Sequence, residues 1–261
     1  MTSPDGTARA RPGTPPSAPP SGPASWLRRY PVVVETAAAA AVLIYGYLIV
    51  RVIPAPWYVP ANLAAAGLAV FLVHRSGSAW ADLGLRKEDA GSGLRWGLAA
   101  VVPIAAVVAI GVTLTVTRKY FVEDKFLHES TARTLYELFV RIPFGTALAE
   151  ELIFRAALLA LCLRRHTFWK AAALSSLVFG FWHILPAMGS VSSNAAGEAL
   201  ATPAARAAGV LATVLATAAA GMVFCWLRRR SRSVVAPWIT HASLNSLGVV
   251  AGLAVARWLG G

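Results

Sequence analysis

Three apolar stretches of this sequence carry polar side chains of the kinds that do hydrolytic chemistry. FGTALAEELIFRAALLALCL holds Glu150, Glu151 and Arg155; a second stretch holds Phe179-Gly180-Phe181-Trp182-His183; a third holds His241-Ala242-Ser243-Leu244-Asn245. An ionisable group at bilayer depth costs at least about 2.5–3.5 kcal/mol on insertion scales, so each needs a reason to be there. Glu151 and Arg155 are spaced i,i+4 with the acid first, the favourable order for an ion pair on one helix face. Glu150 points about 100° away from Glu151 around the helix. It has no local counter-charge, which suits a carboxylate held as a general base. Phe179 lies one turn before His183 and can pack on its ring, while Gly180 lets a neighbouring helix approach. His241 and Asn245 share a face at i,i+4. Each element alone has a plain structural reading: a buried ion pair, a packed imidazole, a hydrogen bond between helices. Together, Glu150, His183, His241 and Asn245 make either a general-base and oxyanion set or a two-histidine-plus-carboxylate set for zinc.

Those residues must be positioned by membrane helices. Of the 261 residues, 57% are hydrophobic and 14% charged, with mean hydropathy +0.59. A soluble domain is nearer 45–50% apolar and about 25% charged. The excess falls in runs of about 20 residues, the length that crosses a hydrocarbon core about 30 Å thick. The fold class expected is therefore all-α, a polytopic bundle of seven spans, or eight if the long last one is broken. They cover about Pro31–Val52, Trp57–Val73, Leu94–Val116, Pro143–Leu163, Phe168–Met188, Ala207–Leu227 and Val234–Leu259. At about 1.5 Å rise per residue, Glu150 and His183 lie about 20 and 24 Å from the inner ends of their helices, and His241 and Asn245 nearer 12 and 18 Å. Residues 1–25, rich in Pro, Ser, Gly and Thr, bury too little to order and are expected to be a disordered tail. Residues 26–81 then form N-terminal spans, and 82–261 the domain holding the site. Within Thr131–Ile142, Leu135, Leu138, Phe139 and Ile142 recur at helical spacing among Arg133, Glu137 and Arg141. That pattern predicts an amphipathic helix at the interface, with a new helix starting at Pro143.

The formal charge of +12 invites a nucleic-acid reading, but the basic residues sit at the ends of apolar runs, where they set orientation and meet anionic headgroups. With the N-terminus inside, 15 of the 24 basic residues fall on the cytoplasmic side and 8 outside; Arg155 alone stays within the bilayer. Heavy use of Ala, Arg, Gly and Pro points to a GC-rich, bacterial genome and hence a bacterial cell membrane. Cys162 and Cys225 lie apart in apolar context and read as buried hydrophobes. His74, His128 and His166 fall at span ends or in loops, and Glu35 near the start of the first span, where solvated roles suffice.

The ordered set Glu150-Glu151-x-x-x-Arg155, Phe179-x-x-x-His183 and His241-x-x-x-Asn245 on separate helices resembles the CPBP family of CAAX prenyl endopeptidases, bacteriocin-processing enzymes and abortive-infection proteins. The resemblance runs over about residues 82–250 and includes a weaker stretch, Asp82-Leu-Gly-Leu-Arg86. It implies an intramembrane endopeptidase acting on membrane-associated proteins or peptides. Glu150 would activate water with help from His183, His241 and Asn245 would stabilise the oxyanion, and Arg155 would order the site through Glu151. Family members are described both as metal-dependent and as glutamate-based. Zinc would take Glu150, His183 and His241 as ligands with a position open for water. The metal-free route needs only a water between Glu150 and His183, and the lack of an H-E-x-x-H pair favours it.

Two other classes fit part of this pattern. A non-catalytic, immunity-type relative would bind and regulate a membrane partner, yet the full set of catalytic-type side chains is retained. A proton-coupled transporter would show internal repeats and interrupted spans in matching halves; here the polar residues are confined to spans four, five and seven.

Overall fold

The computed structural model describes residues 30–118, 121, 130–193 and 202–259. The expected tail at 1–25 and His128 lie outside them. Every regular element among the described residues is helical: α1 (Pro31–Arg51), α2 (Tyr58–Arg75) and α3 (Ala90–Thr113), a long helix α4 from Thr131 to Leu163, then α5 (Phe168–Trp182), α6 (Ile184–Ser193), α7 (Pro203–Ser231) and α8 (Val235–Ala254). Six segments are long and apolar enough to cross a membrane: Pro31–Arg51, Ala55–Arg75, Lys87–Thr113, Phe168–Gly189, Pro203–Ser231 and Val235–Arg257. The protein is an integral membrane protein.

The expected fourth span is not among those six, and the expected break at Pro143 does not occur. Thr131–Tyr136, capped by Ser130 Oγ accepting from the Arg133 amide, runs on through Glu137–Leu148, Ala149–Glu151, Leu152–Leu158 and Leu159–Leu163 without interruption. Glu137–Leu148 and Leu152–Leu158 are π-helical. Proline lacks an N–H and crowds the turn before it, and a wider register absorbs that disturbance without ending the helix. Tertiary contact holds this turn: Trp238 Nε1 of α8 donates to the Pro143 carbonyl at 2.7 Å. From Ile153 to Cys162 every residue of α4 is buried. This helix is the centre of the bundle, ringed by protein, and so it can carry charges that a lipid-facing helix could not.

Around it, α5 packs along α7 and α8 along α3. A Cβ on Gly180 would stand 2.7 Å from the Val214 carbonyl of α7, so that close approach requires glycine. The loop after α2 is tied to the α7–α8 corner. Gly84, at φ +70°, accepts from the Val234 amide at 2.9 Å, and Arg228 Nη2 donates to the Asp82 carbonyl. Asp82–Arg86 is thus a structural clasp, with Leu83 fully buried beneath it. Glu35 meets His166 at 3.1 Å and Arg165 at 3.5 Å, joining α1 to the α4–α5 turn.

Candidate active site

Glu150 and Glu151 occupy one turn of α4 and part company as their spacing requires. Glu151 turns inward and is fully buried. Its Oε1 accepts from Arg155 Nη1 at 3.1 Å and from His241 Nδ1 at 2.9 Å. Arg155 is equally enclosed, its guanidinium 4.1 Å from the Phe179 ring centroid and 5.1 Å from that of Phe224. Arg155 Nε and Nη2 have no hydrogen-bond partner, so Glu151 and the two aromatic faces are what balance that charge. Phe179 also meets the His183 ring edge-on at 4.6 Å, and Phe224 stacks on His241 at 5.1 Å.

Glu150 turns the other way, onto a cavity of about 930 Å³. Its Oε1 accepts from Trp182 Nε1 at 3.2 Å, while Oε2 is buried and has no hydrogen-bond partner. His241 Nε2 stands 3.9 Å from that free oxygen. His183 lies where α5 ends, at φ −85°, ψ 1°. Pro186 causes the break, because it has no N–H to offer the Trp182 carbonyl four residues earlier. The turn aims His183 into the cavity, and Nδ1 contacts the Phe179 carbonyl at 2.7 Å. A carbonyl only accepts, so in the neutral ring Nδ1 carries the proton and Nε2 is left as an acceptor. Asn245, one turn beyond His241 on α8, lines the same cavity.

Three of the four residues expected to do chemistry, Glu150, His183 and Asn245, therefore share one cavity. His241 stands behind Glu150, bridging the two carboxylates, and does not line it. Among the described residues, no three His, Cys, Asp or Glu side chains are arranged to hold a metal ion. His183 Nδ1 is engaged by backbone and His241 Nδ1 by Glu151, so the zinc set would have to be built from Glu150 and the two Nε2 atoms across the cavity wall. That is a poor fit for a closed ligand set.

The rest of the cavity comes from residues that the sequence patterns left out. Tyr58 of α2 meets Thr146 Oγ1 at 3.2 Å, one turn before Glu150, and Arg133, Tyr136 and Arg141 line the wall further along α4. Trp182 had a readable signal, since a buried indole N–H demands an acceptor. Tyr58 had none: it belongs to a span without any motif.

Residues 132–247 match the family model of the Rce1-like type II CAAX prenyl endopeptidases. This segment, less than half of the chain, is similar to that family. It begins at the start of α4 and ends just past Asn245, so it contains every site residue named above except Tyr58. The family is one of membrane proteases, in keeping with the CPBP resemblance of the motifs. No curated protein and no solved structure matches the chain.

Proposed function

We propose that the chain is an intramembrane endopeptidase that hydrolyses peptide bonds of membrane-associated proteins or peptides with a water activated by Glu150 and His183. The observation that carries this reading is the Glu150 carboxylate: buried, anchored through one oxygen by Trp182, with its other oxygen unpaired, on a residue that lines one cavity with His183 and Asn245.

A water has two protons and this site offers two acceptors, the Glu150 carboxylate and His183 Nε2. Held by both, it keeps a lone pair for the carbonyl carbon of a bound peptide. Glu150 takes one proton as the oxygen–carbon bond forms. The oxyanion accepts from the Asn245 side-chain amide, a fixed donor in a site of low dielectric. On collapse the carbon–nitrogen bond breaks, and Glu150 returns its proton to the leaving amine. His241 is a positioning residue in this scheme. Its Nδ1–H is held by Glu151, which fixes the ring and sets Nε2 against Glu150. Arg155 supports the pair by neutralising Glu151.

The charge distribution supports an N-terminus on the cytoplasmic side of a bacterial cell membrane. Membrane peptidomics of cells carrying wild type or Glu150→Gln tests the function. Cleavage products that disappear with the substitution are expected; identical peptide profiles at equal protein levels would refute it.

A further inference from the structure

One end of the bundle gathers the finish of α2, α4 and α7 and the start of α3, α5 and α8. Arg164 ties the α4–α5 turn to Ser76 and Ser78 after α2, and the clasp at Asp82–Arg86 ties that loop to the α7–α8 corner. The acids described at this end are already engaged. Glu88 and Asp89 face Arg86, Glu35 faces His166 and Arg165, and Asp82 Oδ2 accepts from the Ala79 amide. Arg229 and Arg230, exposed in the last turn of α7, rest on aromatic rings instead. Arg229 Cζ stands 4.4 Å from the Phe168 centroid and Arg230 Cζ 5.2 Å from that of Trp96. Among the described residues neither guanidinium has a hydrogen bond or an ion pair. A ring steadies a guanidinium but offers no acceptor oxygen, so N–H donors of both remain for an outside anion.

The surroundings choose the anion. Trp96 meets Trp226 edge-on at 5.7 Å and Phe168 meets Trp169 at 5.0 Å, and both Trp169 and Trp226 are exposed. Indoles gather where hydrocarbon meets headgroups, which sets the two arginines at phosphate depth. Val223, Trp226 and Arg230 recur at helical spacing along one exposed face of α7. Positive charge at the headgroup level thus continues into an apolar strip along the span. A free phosphate would meet only the charge; a phospholipid meets both. We propose that Arg229 and Arg230 bind the phosphate of an anionic phospholipid, with an acyl chain laid along Trp226 and Val223. None of these residues lines the Glu150 cavity, so the lipid site stands whether or not the chain hydrolyses peptides.

The full chain, delipidated in a nonionic detergent, is titrated with dioleoyl-phosphatidylglycerol or dioleoyl-phosphatidylcholine, and native mass spectrometry reads the affinity for the first lipid bound. The two lipids share their chains and differ in net charge. At about fivefold per arginine, phosphatidylglycerol should bind roughly 25-fold more tightly. The Arg229→Gln, Arg230→Gln double variant should lose most of that preference and leave the affinity for phosphatidylcholine unchanged. Should the double variant fail to fold, Arg230→Gln alone should cost about fivefold in phosphatidylglycerol affinity. Arg257→Gln, an exposed arginine beyond the other end of α8, is the control and should keep the full preference. Equal affinity for the two lipids, a preference that survives loss of both arginines, or an equal loss in Arg257→Gln would overturn the proposal. So would displacement of phosphatidylglycerol by millimolar inorganic phosphate, because the arginines would then be a plain anion site that makes no use of the apolar strip.

Discussion

Replacing Glu151 by Gln should destabilise the protein far more than the same change at Glu150, although the two are neighbours and equally conservative changes. Arg155 is wholly enclosed, and its one hydrogen bond goes to Glu151. Neutralising that carboxylate strands a buried guanidinium among Phe154, Phe179 and Phe224, and breaking a buried pair in this way costs about 3–5 kcal/mol. At about 2–4 °C per kcal/mol for a domain of this size, the melting temperature should fall roughly 6–20 °C. Glu150→Gln keeps an oxygen for the Trp182 indole and removes a charge that has no buried cation against it, so its effect should stay within about 1 kcal/mol. Arg155→Met should fall between the two, because Glu151 keeps the His241 N–H at 2.9 Å as a partner. The Glu151→Gln, Arg155→Met double variant should recover much of the loss, since an apolar group then fills the cage in place of an unpaired ion. Thermal unfolding of the purified proteins in detergent reads all four. If Glu150→Gln melts low while Glu151→Gln does not, the two carboxylates have been assigned the wrong way round.

Three further outcomes follow from the packing and the chemistry. Gly46→Ala puts a Cβ 2.7 Å from Trp182 Cε3; it should displace the indole from Glu150 and lower kcat about tenfold while the protein stays folded, which steady-state kinetics beside a melt will check. Trp182→Phe removes the donor to Glu150 and leaves a carboxylate oxygen unpaired, a loss of about 1–3 kcal/mol to be seen in the melt. Activity should be unaffected by 1,10-phenanthroline; one tightly bound zinc per chain, with activity that follows its removal and return, would overturn the metal-free route and leave the peptidase reading standing.

How legible the molecule is from its sequence differs between its parts. Hydropathy locates six of the spans because lipid-facing helices have no choice of composition. Glu150, His183 and Asn245 stand out because polar atoms in apolar runs are expensive, and they do meet at one cavity. The pairing of Glu151 with Arg155 follows from helical spacing alone. Other features depend on tertiary contact. Pro143 looks like a helix start, yet α2 and α8 hold α4 continuous through it in π register. Glu137 looks like an interfacial charge, yet it is buried as the clamp for Arg133 and Arg141. His241 looks equivalent to His183, but, one turn before Asn245, its bond to Glu151 holds it behind Glu150 instead of in the cavity. Tyr58 and Trp182 contribute through contacts between segments far apart in sequence, which no local pattern encodes.

The most direct test of Glu150 as the hydrolytic base is the Glu150→Gln protein itself, purified, reconstituted in nanodiscs and mixed with a fluorogenic membrane peptide that wild type cleaves. Cleavage should fall by a factor of at least about 10³, with the melting temperature unchanged to within a few degrees. A Glu150→Gln protein that is folded and still cleaves at the wild-type rate would contradict that role.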